Sequence, residues 1–209
     1  MSRIFVIDGN IATGKSTLIA EFKKGLSLNS KIVCVTEPVK KFCIFKTYNP
    51  LKLMHESPVA SQIHINNCLF NEYKKFDFTD PEKIYIFDRY INSPLIFIEA
   101  LFLYGKLTPF ERDLLLDISR ITHQTLKLPN VTGIFFLKSD ISLMLERIAL
   151  RGRYSEEEYT HEYLQNLDLS YESYLQEVTN HNSTKIEISE TKNLPQLAKE
   201  LTDFINKNV

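Results

Sequence analysis

The sequence predicts an α/β fold: a five-stranded parallel sheet with helices on both faces, in a single domain spanning residues 1–209. Three observations carry that expectation. Short β-branched and aromatic runs alternate with longer segments of helical period. The runs are continuously apolar rather than alternating, which suits strands covered on both faces. Between the first run and the first helical segment lies a glycine-bracketed loop.

The strand-like runs come in order. Arg3 to Asp8 (RIFVID) is the first and Lys31 to Thr36 (KIVCVT) the second. Lys83 to Phe87 (KIYIF), Thr132 to Leu137 (TGIFFL) and a weaker Lys185 to Ile188 follow. Between them, Leu18, Ile19, Phe22 and Leu26 share a helix face, and Gly25 suits a helix stop. Val59, Ile63, Phe70 and Tyr73 fit a helix starting just after Pro58, and Leu95 to Tyr104 is a strongly apolar one. Asp140 is a candidate N-cap for Ile141 to Leu150. Tyr163, Leu167, Tyr171, Tyr174 and Val178 recur at three- and four-residue steps within a long helix from about Tyr159. Leu194 to Ile205 closes the chain. No repeat, low-complexity tract or linker interrupts this order, so one open sheet with right-handed crossovers is expected.

Composition excludes several classes. Hydrophobic residues make up 44% and charged residues 24%, the values of an ordinary folded domain. Lys and Arg number 25 against 26 Asp and Glu. Without a basic excess, long nucleic acid is not an expected partner. Cys34, Cys43 and Cys68 are odd in number and lack metal-ligand spacing, which suits a reducing compartment; Cys34, inside an apolar run, reads as a small core residue. Met1 leads straight into a strand with no secretory or presequence pattern, and no apolar stretch approaches the roughly 20 residues of a membrane span. A soluble, cytoplasmic protein without a membrane partner is the expectation.

The strongest chemical signal is the loop Gly9-Asn10-Ile11-Ala12-Thr13-Gly14-Lys15-Ser16, followed by Thr17. It fills every position of G-x-x-x-x-G-K-[ST], between an apolar strand and a helical segment. Glycines let the backbone curl so that successive N–H groups face an anion, and the helix N-terminus adds partial positive charge. Lys15 can reach the β- and γ-phosphates and the Ser16 hydroxyl can ligate Mg²⁺. The loop therefore implies a nucleoside triphosphate and leaves the acceptor open.

Three further clusters bear on the acceptor. The second strand ends in Thr36-Glu37-Pro38-Val39, where ligands bind in doubly wound sheets. Glu37 reads either as a proton acceptor or as a solvated turn residue. The third strand ends in Asp88-Arg89-Tyr90. Asp88 could hold Mg²⁺ and Arg89 could steady a phosphate or carboxylate, against the alternative of a surface ion pair. Arg147 and Arg151 are four residues apart, and Gly152 then leads to Arg153 and the acidic run from Glu156. Such arginines either clamp phosphate or form a solvated face.

Taken together, G-N-I-x-x-G-K-S, T-E-P-V, D-R after the third strand and R-x-x-x-R-x-R before an acidic run resemble the deoxyribonucleoside kinases. The resemblance runs from about Ile4 to Leu175. It implies a P-loop kinase fold with an arginine-rich lid, ATP and Mg²⁺, a deoxyribonucleoside acceptor and a homodimer, with helices such as Leu95 to Tyr104 packed across the two-fold axis. It also implies that Glu37 is the general base for the 5′-hydroxyl, that Phe42 stacks near the nucleobase, and that Gln62 pairs with the base edge. Tyr171-Glu172-Ser173-Tyr174-Leu175 resembles the stretch that holds the sugar 3′-hydroxyl, which points to Glu172. Arg147, Arg151 and Arg153 correspond to the lid arginines. His55 stands where the family has a sugar-contacting tyrosine, and Asp88-Arg89-Tyr90 stands for its E-R-S. An apolar base site leans toward pyrimidines, thymidine included.

Two other readings stay open at this stage. Asp88-Arg89-Tyr90-Ile91-Asn92-Ser93 is similar to the D-R-Y-x-x-S element of thymidylate kinases, although those carry R-E-P where this chain has Thr36-Glu37-Pro38. A nucleotide-binding regulator without an acceptor is the other. The arginine lid and the two acidic strand ends are better explained by phosphate transfer.

Overall fold

The computed structural model describes residues 1–27, 31–42, 54, 56–153, 156, 159–179, 184–188 and 193–209, with only the backbone described at 40, 41, 178, 179 and 184–188. His55 and Cys43 lie outside the described residues.

The strands are β1 (Arg3–Gly9), β2 (Ile32–Val35), β3 (Ile84–Asp88), β4 (Gly133–Leu137) and β5 (Thr184–Ile188). They form one sheet in the order β2-β3-β1-β4-β5, and every neighbouring pair is parallel. The chain moves from β1 outward to β2, returns to β3, then crosses β1 to reach β4. This reversal around β1 opens a crevice beyond the carboxyl ends of the strands. Asp8 and Gly9, the segment after Val35, and Asp88 all end there.

Helices cover both faces. On one face, Phe5, Ile7, Ile86 and Phe135 pack against Leu18, Ile19 and Phe22 of the helix Lys15–Lys24 and Leu201, Phe204 and Ile205 of the helix Leu194–Lys207. Phe204 lies edge-on to Phe5 at 5.7 Å and covers Gly133, where a Cβ would meet its ring at 2.6 Å. That contact explains a glycine inside an otherwise bulky strand. On the other face, Ile4, Val6, Tyr85, Phe87, Ile134 and Phe136 meet the helices Pro58–Tyr73, Ser93–Leu103, Pro109–Leu126 and His161–Thr179. Alternate residues of β1 thus serve two cores, which is why Ile4 to Ile7 are all apolar.

Several local expectations need adjusting. Asp140 stands at the N-cap of the helix Ile141–Arg151 but makes no side-chain cap bond. Cys34 is half-buried at the edge of the smaller core, whereas Cys68 is buried in the larger one; neither forms a disulfide among the described residues. The helix Pro109–Leu126 has a complete capping box: Glu111 N donates to Thr108 Oγ1 and Thr108 N donates back to the Glu111 carboxylate. The Thr108-Pro109-Phe110-Glu111 pattern was the available signal for it. In the helix Ser93–Leu103 most of the apolar excess turns inward: Ile96, Ile98 and Leu101 are buried, while Leu103 is exposed.

Candidate active site

Gly9 closes β1 with φ 145°, and a Cβ there would lie 2.3 Å from the Leu137 carbonyl oxygen. No other residue fits. Ala12 (φ 62°) and Gly14 (φ 95°) are also left-handed, giving the changes of hand that let a loop gather N–H groups around an anion. Thr13 is buried and its hydroxyl donates to the Asn10 carbonyl. Asn10, 1% exposed, donates through Nδ2 to the Leu164 carbonyl (2.9 Å) and Asp168 Oδ1 (2.6 Å), while its Oδ1 accepts from Ile11 N (2.7 Å). Burial pushes the Asp168 carboxyl above its ordinary pKa, and the Asn10 bond opposes this.

Lys15 is buried and folded back over the loop, with Nζ donating to the carbonyls of Gly9 (2.9 Å) and Asn10 (2.6 Å). Burial lowers its pKa to about 7, and the Arg89 charge pushes the same way. An arriving phosphate would favour the charged form again. Ser16 opens the helix and donates through Oγ to Asp88 Oδ2 at 2.6 Å; Thr17 faces solvent on the same turn.

Asp88 is 3% exposed, and its second oxygen, Oδ1, has no partner. A bare carboxylate oxygen beside a serine hydroxyl at a phosphate loop is the hard-oxygen chemistry of Mg²⁺. Among the described residues no group of three or more His, Cys, Asp or Glu forms a cage. An ion held by one carboxylate and shared with substrate phosphates needs none. The residues fit the ion.

Arg89 organises a second cluster. Its backbone is left-handed (φ 61°), unusual for a branched-contact side chain and worth about 1–3 kcal/mol of strain. The surroundings hold it there: Arg89 N donates to the Ile7 carbonyl and the Tyr73 hydroxyl donates to the Arg89 carbonyl. The reversal sends the guanidinium back across β1. There Nη1 donates to Glu37 Oε2 at 2.7 Å, Nε faces the Tyr171 hydroxyl at 3.4 Å and Asp8 at 3.9 Å, and the Phe97 ring stacks at 5.0 Å. Asp8 in turn accepts from Gly9 N and the Tyr171 hydroxyl, both at 2.8 Å, and from Ser93 Oγ at 3.3 Å. Burial raises the pKa of both Glu37 and Asp8, and Arg89 opposes the rise in each. Glu37 thus becomes a stronger base than a surface glutamate while retaining a cationic partner.

The remaining sequence-derived residues divide. Gln62 is 2% exposed, and neither its Nε2 nor its Oε1 has a partner. Phe42 is buried in the larger core, and its carbonyl lies 3.1 Å from His64 Nε2. Arg147 reaches the loop, donating to the Ala12 carbonyl at 3.2 Å. Arg151 and Arg153 instead converge on Glu156, Arg153 at 3.7 Å. Glu172 is not brought to the cluster: it is exposed and pairs with Lys138 at 3.3 Å. One residue earlier on the same helix, Tyr171 is the group turned inward. Asp8, Tyr171 and Asp168 join these residues although no motif gave them a role; Asp8 had a positional signal at the carboxyl end of a strand, and Tyr171 only its place in the helix period beside Glu172.

Comparison with known proteins identifies the family. The family model for deoxynucleoside kinase matches residues 5–209. Deoxycytidine kinase 2 of Gallus gallus is 26% identical over 97% of this chain and 84% of its own length. The mitochondrial thymidine kinase 2 of Homo sapiens is 26% identical over 82% of this chain and 64% of its own. In fold, the chain is similar to a deoxyadenosine kinase from M. mycoides solved with bound dCTP, with a TM-score of 0.79, 19% identity, and coverage of 98% of this chain and 99% of that one. The phosphate loop, the bare carboxylate oxygen beside its serine and the arginine-bound glutamate thus lie in a chain that belongs to the deoxynucleoside kinase family and is a phosphotransferase.

Proposed function

We propose that the chain transfers the γ-phosphate of ATP to the 5′-hydroxyl of a deoxyribonucleoside, with pyrimidines, thymidine included, preferred. One observation carries the acceptor reading: the buried Gln62 carboxamide without a partner. Leaving such a group unpaired costs about 1–3 kcal/mol, so its persistence points to a ligand that completes it. An amide offers one donor and one acceptor side by side, the complement of a nucleobase edge. By rotating it serves cytosine and thymine alike. Two residues on, His64 of the same helix meets the Phe42 carbonyl, so the helix that carries Gln62 packs against the segment after Glu37.

In this reading the P-loop and Lys15 hold the triphosphate. Ser16 and Asp88 would hold Mg²⁺, which when bound neutralises charge on the phosphate oxygens. Glu37 takes the 5′-hydroxyl proton on its carboxylate, and Arg89 fixes the orientation of that carboxylate. Arg147 is already at the loop. Arg151 and Arg153 would exchange Glu156 for phosphate as the lid closes and excludes water. Glu172 would contact the sugar only after breaking its pair with Lys138, and Phe42 would border the base from the core.

The pyrimidine preference draws support from relatives named for deoxycytidine and thymidine, whereas the M. mycoides neighbour is named for deoxyadenosine and holds dCTP, and so favours neither class of base. A homodimer belongs to the same proposal, supported by the exposed Leu103, Phe110, Leu114 and Ile121 on two neighbouring helices. The test is transfer from Mg-ATP to thymidine, deoxycytidine, deoxyadenosine, deoxyguanosine and uridine, scored as kcat/KM. The proposal expects the two pyrimidine deoxynucleosides to lead. A purine in the lead overturns the preference, and uridine in the lead overturns the deoxyribose.

A further inference from the structure

The helix His161–Thr179 reaches both halves of the site from one face. Tyr171 touches Asp8 and Arg89 on the acceptor side. Asp168, three residues earlier and so on the same face, touches the donor loop through Asn10. We propose that Asp168 is a positioning residue for the triphosphate. It locks the Asn10 carboxamide, and through it the curl of the phosphate loop.

The physical reason lies in the three bonds of that amide. Nδ2 is held by two acceptors on the helix, the Asp168 carboxylate and the Leu164 carbonyl, so Oδ1 must face the loop, where it accepts from Ile11 N. Rotating the amide by half a turn would set Oδ1 against two acceptors and Nδ2 against an N–H donor. Only one orientation is satisfied. Asp168 makes that preference strong, because a bond to a carboxylate is about twice as strong as a neutral one. The amide is 1% exposed, so water does not replace a lost partner. Ile11 stands at the second position past Gly9, within the segment whose N–H groups must converge on phosphate. Asp168 lies 158 residues from Asn10 in sequence and belongs to the helix that follows the arginine segment. The donor loop is therefore held by a helix outside the P-loop unit itself.

This inference rests on the loop being the triphosphate site, and the experiment separates the two. Mg-ATP affinity is measured by calorimetry, and KM for thymidine and deoxycytidine by transfer assay, in the full chain. Asp168→Ala is expected to weaken Mg-ATP binding about 10-fold or more while changing the nucleoside KM less than about twofold. Asp168→Asn keeps an acceptor oxygen at the same reach and should recover most of the affinity. Asn10→Ala should reproduce the loss, and the double variant should be no worse than either single one, as for residues acting through one contact. Tyr171→Phe provides the contrast: its effect should fall on nucleoside KM and turnover. If Asp168→Ala binds Mg-ATP like the wild type while Lys15→Met does not, the positioning role is overturned and the loop assignment stands. Equal weakening of both substrates, or additive Asn10 and Asp168 effects, also overturns it. If Lys15→Met binds Mg-ATP like the wild type, both assignments fall.

Discussion

Eight consecutive residues, Gly9 to Ser16, form the proposed donor loop, whereas the proposed acceptor cluster draws Asp8, Glu37, Arg89 and Tyr171 from four separate segments. The loop is built from backbone: two glycines and Ala12 in the left-handed region, and a lysine bonded to its own carbonyls. The cluster is built from side chains, with one guanidinium satisfying two carboxylates whose own burial opposes their charge. The difference teaches where each half is fragile. The loop tolerates little change in backbone conformation. The cluster depends on charge balance, because removing one buried partner strands another.

Four perturbations sharpen that contrast, beginning with the strongest. Lys15→Met removes the cationic side chain of the loop, and should lower kcat/KM for Mg-ATP by about 10³-fold, the scale of a cation in phosphoryl transfer. Retention of a tenth of wild-type activity would remove Lys15 from the donor site. Glu37→Gln keeps the shape and a bond to Arg89 but loses the base, so turnover should fall by about 10²-fold or more with nucleoside KM little changed. Near-normal turnover would reassign the base.

Gln62→Leu should act in opposite directions on function and stability. Nucleoside KM should rise about 10-fold, the worth of one or two base-edge bonds, while Tm of the free protein stays level or rises because an unpaired buried amide is gone. A clear drop in Tm would mean that the amide is satisfied inside the fold. The smallest effect is one of pH. Lys15 titrates near 7 in the folded chain against the ordinary lysine value of 10.5. Between those values the unfolded chain holds the extra proton, so Lys15 costs stability below about pH 7, and the cost fades as pH rises toward 10.5. Lys15→Met should therefore raise Tm over the wild type near pH 6.5, with the gain shrinking toward zero at about pH 10. A gain constant across that window would contradict the depressed pKa.

Legibility in the sequence follows the same division. The loop and the strands could be read because their determinants are local: a glycine spacing, and apolar runs whose ends fall within a residue or two of the observed ones. Glu37, Asp88 and Arg89 were legible as strand-end residues. Their mutual arrangement was not, since the Arg89–Glu37 bond spans 52 residues and the Tyr171–Asp8 bond spans 163. Nothing in Asp88-Arg89-Tyr90 indicates that Arg89 is left-handed, yet that reversal aims the guanidinium. On the helix His161–Thr179, motif similarity selected Glu172, while the helical phase, fixed by packing of Tyr163, Leu167 and Tyr171, turns its neighbour inward. A single residue of helix is about 100° of rotation, more than local pattern alone resolves. The helix Pro109–Leu126 carries a capping box, but it follows another helix directly and so lies outside the strand–helix alternation of the rest.

The most direct test of the central claim uses γ-labelled Mg-ATP with thymidine and with dTMP as acceptors, comparing wild type with Glu37→Gln. Labelled 5′-monophosphate from thymidine, strongly reduced in the variant and with no transfer to dTMP, is the predicted result. Transfer to dTMP alone, unaffected by Glu37→Gln, would contradict it and make the Asp88-Arg89-Tyr90 likeness to thymidylate kinases the better guide to the acceptor.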